Sequence, residues 1–175
     1  MRKILEWLYL CSGILAGLFL VLIAALSLAQ ICGRLLGFAA YSFDDFAGFC
    51  MAASSFLGLA HTYRRNEHIR VALVIDRLAG GPRRAMEILC LAASTFLIGY
   101  FAWYAIDMAW TSHQINDVSQ GLVSVPLWLP QSGMALGLLI ISIALLDDLV
   151  VVLARGTPSY LVAEQNKKIA LSENV

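Results

Sequence analysis

A basic segment in the middle of the chain most constrains how the chain can fold. Six of the twelve Lys and Arg residues lie between Arg64 and Arg84, and a long apolar run flanks this segment on each side. Short Lys- and Arg-rich connections between membrane helices stay in the cytoplasm because they resist translocation. The segment therefore predicts the inner side of a membrane, and it fixes the side on which every other connection lies.

The composition is that of a membrane protein. Of the 175 residues, 60% are hydrophobic and 14% are charged, whereas a soluble domain is about 45–50% apolar and about 25% charged. The formal net charge is zero, and every basic cluster lies at the end of an apolar run. The apolar composition predicts membrane lipids as partners. Because the sequence shows no broad basic face, we expect no nucleic acid among the partners.

Four apolar runs predict an all-α integral membrane protein with four transmembrane helices, over residues 8–29, 46–63, 86–106 and 128–149. A run of about 20 apolar residues crosses a hydrocarbon core of about 30 Å, because an α-helix rises about 1.5 Å per residue. A signal peptide is the alternative for the first run, since Ser27-Leu28-Ala29 resembles a cleavage site. Its apolar region is longer than the roughly 7–15 residues of a signal peptide, so we interpret it as a membrane span.

The start of the second predicted helix carries three polar side chains. Ser42 and Asp45 have the spacing of a capping box, in which side chains bind the free backbone N–H groups of the first helical turn. Asp44 and Asp45 are also favourable at this position because of the helix dipole. Alternatively, one of these aspartates pairs with Arg34 or with a partner subunit, because a charge at membrane depth usually has a partner.

Small residues recur along the second predicted helix at intervals of three to four positions: Gly48, Ala52, Ser55 and Gly58. Small side chains let helix backbones approach closely in lipid, where packing drives helix association. The pattern predicts a close helix contact, which either lies inside this chain or is made with another protein.

The basic segment predicts a short amphipathic helix in the cytoplasmic loop. Val71, Val74, Ile75 and Leu78 share one helical face, and the arginines fall elsewhere around it. Such a helix lies in the membrane interface and directs its arginines at anionic head groups; a plain connecting loop is the alternative. The residues predicted to contact lipid or the interface are Arg64, Arg65, Arg70, Arg77, Arg83, Arg84 and Trp128.

The distribution of basic residues predicts the orientation. Residues 107–121 form a polar stretch without Lys or Arg, which predicts the outer side. Eleven of the twelve Lys and Arg residues fall on the predicted inner side, and only Arg34 falls on the outer side. Both termini are therefore predicted to be cytoplasmic. Residues 1–155 are expected to form one transmembrane domain, and residues 156–175 a polar cytoplasmic tail.

Two aspartates lie near the inner end of the fourth predicted helix. Asp147 and Asp148 either reach the cytoplasmic water or pair with Arg83 or Arg84 across the inner surface. Both arrangements avoid an isolated charge in the hydrocarbon layer.

The chain offers no residue set for catalysis or for a cofactor. A haem-anchoring subunit needs two histidines at matching depth, but only His61 lies near a predicted span, and His68 and His113 fall on opposite sides. The four cysteines lack the clustered spacing of a disulfide framework or a zinc site. We therefore expect a non-catalytic membrane subunit with no cofactor and no metal; a membrane-anchor subunit of a haem/quinone oxidoreductase is the alternative.

Several motifs follow one another along the chain: Arg34, Ser42-x-x-Asp45, Phe56-Leu57-Gly58, Arg64/Arg65, His68-Ile69-Arg70-Val71, Asp76-Arg77-Leu78 and Pro126-Leu127-Trp128. Their order resembles the small membrane subunit of the tripartite ATP-independent periplasmic (TRAP) transporters, the DctQ-like family. The resemblance covers roughly residues 5–153. It departs from the family pattern at Phe43, Asp44 and Asp45, where the family often has tryptophan and glutamates, and at Ala72, where it often has an acidic residue.

The resemblance implies a heteromeric transporter in the bacterial inner membrane. The small subunit would pair with a large multispan permease subunit, and a periplasmic substrate-binding protein would deliver an organic anion, typically a carboxylate. The large subunit would import this anion with a sodium gradient, while the small subunit braces it. We predict these residues as a cluster that contacts the partner subunit or holds the structure: Arg34, Ser42, Asp44, Asp45, His68 and Asp76.

Overall fold

The computed structural model consists of four long α-helices in the part of the chain that it describes, residues 2–37, 42–64 and 81–154. Side chains are described from Leu5 in the first helix and from Arg84 in the third. The helices are α1 (Arg2–Leu35), α2 (Phe43–Arg64), α3 (Gly81–Gln114) and α4 (Trp128–Leu153). The prediction of an all-α fold is confirmed.

Several predictions lie outside the described residues. The amphipathic helix falls in residues 65–80 and the polar tail in residues 156–175. The predicted site residues outside the described side chains are Arg65, His68, Arg70, Asp76, Arg77 and Arg83. For all of these, the sequence predictions stay predictions.

Three of the described helices are long and apolar enough to cross a membrane: Leu5–Leu35, Arg84–Gln114 and Trp128–Leu153. Helix α2 has 22 residues, a length of about 33 Å, but it is less apolar because its sequence includes Asp44, Asp45 and His61. By length and composition, α1, α3 and α4 can therefore cross a membrane.

The third helix is longer than the sequence pattern predicts. Residues 107–114, which we predicted to lie in the outer polar connection, belong to α3. The predicted end of the helix at residue 106 was wrong, because side chains become polar there but the backbone hydrogen bonds of a helix do not depend on side-chain polarity. The predicted outer side of these residues stays a prediction. Helix α1 ends as expected for a Gly-terminated helix, since Gly37 has a φ of 76° and follows the last turn.

The helices pack in the order α1, α2, α4, α3, so that α2 lies between α1 and α4. Two buried serines join α1 to α2: Ser12 Oγ donates a hydrogen bond to the Leu57 carbonyl oxygen, and Ser54 Oγ donates one to the Ala16 carbonyl oxygen over 2.9 Å. Side-chain bonds to helix carbonyls are a recognised means of holding membrane helices together. They align α1 antiparallel to α2.

Glycine lets α2 and α4 approach closely. A Cβ atom at position 137 would collide with the carbonyl group of Phe56, and one at position 133 would lie 3.2 Å from the Cβ atom of Ala53. Because both contacts advance in the same chain direction, α2 and α4 run parallel. Helix α3 packs antiparallel on the far side of α4, with Ala102 and Ala105 against Ala135 and Leu138.

Within the chain, the predicted small-residue contact on α2 is only partly present, and its alternative, a contact with another protein, stays a prediction. Gly58 lies against Ala16 of α1, but Gly48 and Ser55 are exposed. The buried residues of α2 are Ala53, Ser54, Leu57, Ala60 and Tyr63. The side of α2 that contacts the neighbouring helices is therefore not the side of the predicted small residues. Most of the buried residues lie one position before or after a predicted one.

Candidate functional site

A cluster of polar side chains joins α1, α2 and α4 at the ends of α2 and α4 that precede the basic segment and the tail. We call Tyr9, Tyr63, Arg64, Asp147 and Asp148 the inner cluster. The Tyr63 hydroxyl donates a hydrogen bond to Asp148 Oδ2 over 2.9 Å. Arg64 Nη1 lies 3.4 Å from Asp147 Oδ2. The Arg64 guanidinium also lies 5.0 Å from the centroid of the Tyr9 ring, within the range of a cation–π interaction.

The members of the inner cluster differ in burial. Asp148 is 1% exposed, so its carboxylate depends on hydrogen bonds from protein groups such as Tyr63. The side chains of Arg64 and Asp147 are 19% and 26% exposed, so water screens part of their attraction. The Tyr9 hydroxyl is buried and has no hydrogen-bond partner among the described residues. The Tyr63–Asp148 pair is thus buried from solvent, whereas the Arg64–Asp147 pair is partly exposed to solvent.

His61 packs against the backbone of α1. Its Nδ1 atom lies 3.3 Å from the Tyr9 carbonyl oxygen. Gly13 makes room for the ring, because a Cβ atom there would lie 2.6 Å from His61 Cγ. One imidazole nitrogen is therefore occupied by a helix–helix contact, which suits a structural histidine.

The structure corrects the predicted pairing of the inner aspartates with Arg84. Arg84 Nη2 donates instead to the Val152 carbonyl oxygen over 3.1 Å, near the end of α4. Arg64, which we predicted to contact lipid, pairs with Asp147. The parallel packing of α2 and α4 explains why Arg64 and not Arg84 pairs with Asp147, because it brings the last residues of both helices to one level. Tyr9 and Tyr63 were not predicted, because they lie at the ends of apolar runs without any distinguishing spacing.

A second cluster lies at the opposite ends of the helices and joins α1, α2 and the α3–α4 connection. We call Gln30, Ser42, Asp44, Asp45 and Val123 the outer cluster. Gln30 Nε2 donates to Asp44 Oδ2 over 2.9 Å. The backbone N–H of Val123 donates to Ser42 Oγ over 3.2 Å. The Asp45 carboxylate lies against the connection, where a Cβ atom at position 121 would collide with it.

The predicted capping box at Ser42 is wrong. Its φ of 65° lies in the left-handed region, whereas an N-cap residue has an extended backbone. Among the described residues, the Ser42 hydroxyl accepts its hydrogen bond from the Val123 N–H in the α3–α4 connection and not from the first turn of α2. Asp44 and Asp45 do lie in that first turn, where the helix dipole favours them.

The predicted pairing of Arg34 with an aspartate is also wrong within the described residues. Arg34 is exposed in the last turn of α1, and the described ion pair is the one between Arg64 and Asp147. Gln30, one helical turn earlier, contacts Asp44 instead. Gln30 is a polar side chain near the end of a long apolar run, and this position is the sequence signal for its contact.

The α3–α4 connection is held by its own backbone. Val118 and Pro126 form an antiparallel bridge; Ser119 N–H donates to the Val125 carbonyl oxygen over 2.8 Å, and Leu127 N–H to that of Asp117 over 3.0 Å. These bonds fold the connection into a short hairpin that reaches the start of α2. The outer cluster is therefore built on an ordered connection.

An apolar groove of about 360 Å³ lies beside this connection, between α3 and α4. The His113 ring packs near two tryptophans, with its centroid 6.4 Å from that of Trp110 and 5.4 Å from that of Trp128. Trp128, which we predicted to lie at the membrane interface, is thus partly covered by His113. Amphipathic rings of this kind concentrate at membrane–water interfaces.

The described residues contain no group of three or more His, Cys, Asp or Glu side chains that could hold a metal ion. The four cysteines are unpaired: Cys11, Cys32, Cys50 and Cys90.

Comparison with known protein families gives a match over most of the chain. A family model described as "Tripartite ATP-independent periplasmic transporters, DctQ component" matches residues 23–155. No curated protein matches the chain. The matched region starts within α1 and includes α2, α3 and α4, so it covers the outer cluster and all of the inner cluster except Tyr9.

Proposed function

Because the chain belongs to the DctQ component family of the tripartite ATP-independent periplasmic transporters, we propose that it is the small subunit that braces a large permease subunit. The resemblance found in the sequence is confirmed. The chain is a TRAP transporter component and a membrane protein of the bacterial inner membrane. The bracing role, the substrate and the identity of the partners are parts of the proposal.

The observation that carries the bracing role is the use of polar groups in the helix contacts. The Ser12 and Ser54 hydroxyls bind carbonyl oxygens of a neighbouring helix, and Tyr63 binds the buried Asp148. A transport site would instead direct such groups into a shared cavity that a substrate can enter. A bundle cross-linked by its own polar side chains supports a static scaffold.

Transport itself belongs, in this proposal, to the other components. The large subunit carries the substrate path and couples import of an organic anion, such as a carboxylate, to a sodium gradient. A periplasmic binding protein delivers the anion. The small subunit has no catalytic activity and needs no cofactor.

The proposed topology has four spans with both termini in the cytoplasm. Helix α2 supplies the fourth span: its length of 22 residues is sufficient, and α1 and α4 flank it. The excess of Lys and Arg at the predicted inner side supports this orientation. The connection between α3 and α4 then lies in the periplasm together with the outer cluster.

The predicted set of Arg34, Ser42, Asp44, Asp45, His68 and Asp76 remains a proposal for contact with the partner subunit or for structural support. For Ser42 and Asp44, contacts within the chain support the structural role. Arg34 is exposed, which leaves it accessible to a partner.

Reconstitution tests the proposed function. We expect the large subunit to co-purify with the tagged chain, and liposomes that hold both subunits to take up an organic anion when the binding protein and a sodium gradient are present. Liposomes that hold this chain alone should take up nothing. Uptake by the chain alone, or a large subunit that never co-purifies, would refute the proposal.

The alternative of a haem/quinone anchor is not supported by the family match. His61 also has its Nδ1 atom beside the Tyr9 carbonyl oxygen. An absorption spectrum of the purified complex decides between the two functions, because a haem anchor would show a Soret band that His61→Ala abolishes.

A further inference from the structure

Helix α3 carries polar side chains on an exposed face. Tyr100 and Tyr104 are 52% and 53% exposed, their ring centroids lie 4.7 Å apart, and Asp107 is exposed as well. Positions four and seven residues apart lie on the same side of a helix. We call Tyr100, Tyr104 and Asp107 the α3 polar face.

The packing of α3 on α4 gives the depth of this face in the membrane. Gly99 lies opposite Ser142, since a Cβ atom there would be 3.7 Å from Ser142 Oγ. Because the two helices are antiparallel, Asp107, eight residues after Gly99, lies level with Met134, eight residues before Ser142. Met134 lies six residues beyond Trp128, or about 9 Å inward from the outer end of α4. With the start of α4 at the outer membrane surface, as in the proposed topology, Asp107 lies within the apolar layer and not in the outer connection where the sequence pattern placed it.

Asp107 differs from the other two aspartates at membrane depth. Asp147 pairs with Arg64 and Asp148 with Tyr63, whereas Asp107 forms no ion pair within the described part of the chain. Ionisable residues in transmembrane segments are rare, and they almost always face protein or a water-filled cavity. A face that exposes this carboxylate is thus unsuited to lipid.

The exposed face of α1 provides the comparison. Its exposed large side chains are aliphatic along most of the helix, and they include Leu15, Leu18, Val21, Leu22, Leu28 and Ile31. Acyl chains solvate such a surface well, because lipid tails are as apolar as leucine. Aromatic side chains with a polar end are enriched at membrane–water interfaces and at protein–protein contacts. Tyr100 and Tyr104 lie further inward along α3 than Asp107, which favours the protein contact.

We propose that the α3 polar face docks the large permease subunit, and that this subunit supplies a cationic or hydrogen-bond-donating side chain to the Asp107 carboxylate. The inference rests on the proposed function, because that function provides the partner. The face requires a donor at membrane depth, which acyl chains lack. A soluble binding protein cannot reach this depth.

A second copy of this chain does not fit the α3 polar face. The Lys and Arg residues of the sequence lie at or beyond the ends of the apolar runs, so a second copy has no cation level with Asp107. A symmetric contact through α3 would bring the same patch of both copies together and place two Asp107 carboxylates at one depth. A different membrane protein can supply a cation at this depth, whereas a second copy cannot.

Site-specific photo-cross-linking tests the position of the contact. The chain with p-benzoylphenylalanine at Tyr104 is co-expressed with the large subunit, and the matched control has the same group at Leu22 on the exposed face of α1. We expect ultraviolet light to link position 104 to the large subunit and position 22 to no protein. A link from position 104 to a second copy, or no link from 104 while the large subunit still co-purifies, overturns the docking face and leaves the proposed function intact. Loss of co-purification by the unmodified chain overturns both.

Asp107→Leu tests the role of the carboxylate. If Asp107 faced lipid, this change would remove an unfavourable charge and leave the complex intact. Because a buried charge is left unpaired in the partner, we expect the yield of complex to fall at least about tenfold, while the isolated subunit inserts into the membrane as well as before. Asp117→Asn, in the outer connection, is the control and should keep the yield. An unchanged yield of complex with Asp107→Leu refutes the inference.

Discussion

The hydroxyl of Tyr63 donates a 2.9 Å hydrogen bond to the carboxylate of Asp148, and both residues are buried where α2 and α4 end. This bond connects the helix that precedes the basic segment to the helix that precedes the tail. Since α2 also binds α1 through Ser12 and Ser54, three helices are held relative to one another by side-chain hydrogen bonds. The polar groups that hold α1, α2 and α4 together are therefore buried between the helices.

Removing the Tyr63 hydroxyl should destabilise the subunit. Tyr63→Phe takes one donor from a buried carboxylate, and an unsatisfied buried group costs about 1–3 kcal/mol or more when charged. We expect a lower melting temperature in detergent. Tyr9→Phe is the matched control, because that hydroxyl is also buried but has no hydrogen-bond partner among the described residues. Equal effects of the two changes would contradict the assigned role of Tyr63.

The ion pair between Arg64 and Asp147 should contribute less than the Tyr63–Asp148 pair. Both side chains are partly exposed and 3.4 Å apart, and such pairs contribute about 0–1 kcal/mol. A double-mutant cycle with Arg64→Gln and Asp147→Asn measures the coupling from thermal or denaturant unfolding in detergent. A coupling energy well above this range would show that the pair is effectively dry and would invalidate our ranking.

The close approach of α2 and α4 should make position 137 sensitive to size. Gly137→Ala places a methyl group against the Phe56 carbonyl, and overpacking of this kind costs about 1–3 kcal/mol. We expect reduced thermal stability and a smaller folded fraction on size-exclusion chromatography. Gly48→Ala is the control, since no atom lies within 4 Å of the added methyl group, and it should be neutral. If Gly137→Ala is equally neutral, the helices are further apart than described.

The sequence predicted the helices better than the contacts between them. A long apolar run is sufficient to predict a membrane helix, because the lipid and the protein interior are both apolar. For the same reason the run does not show which side faces protein. Small residues suggested Gly48 and Ser55 for a contact, yet the buried side of α2 includes Ala53 and Ala60.

The polar clusters needed the arrangement of the helices in space. Which arginine binds Asp147 depends on α2 lying parallel to α4, and nothing in the order of the residues specifies this neighbour. Ser42 could not be identified as a contact of Val123, because the bond joins segments 81 positions apart. Asp107 was placed outside because polarity along the chain was taken as the end of the span.

The last prediction concerns the two sides of the membrane. In a chain whose native cysteines are replaced by alanine, Asn66→Cys should resist a membrane-impermeant thiol reagent on intact cells and react after permeabilisation, because Lys- and Arg-rich connections stay inside. Gln120→Cys is the positive control for labelling from the outside. Gln120 is exposed in the α3–α4 connection, so this cysteine should react on intact cells. A second experiment replaces all six arginines of the basic segment by glutamine. Each basic residue near an anionic leaflet contributes ~1 kcal/mol of binding free energy, so the change should remove several kcal/mol of preference for the inner side. The basic residues near both termini still favour the same orientation, so we expect Asn66→Cys in that background to give partial labelling. Labelling of Asn66→Cys from the outside with all arginines present would reverse the proposed topology and place the outer cluster in the cytoplasm.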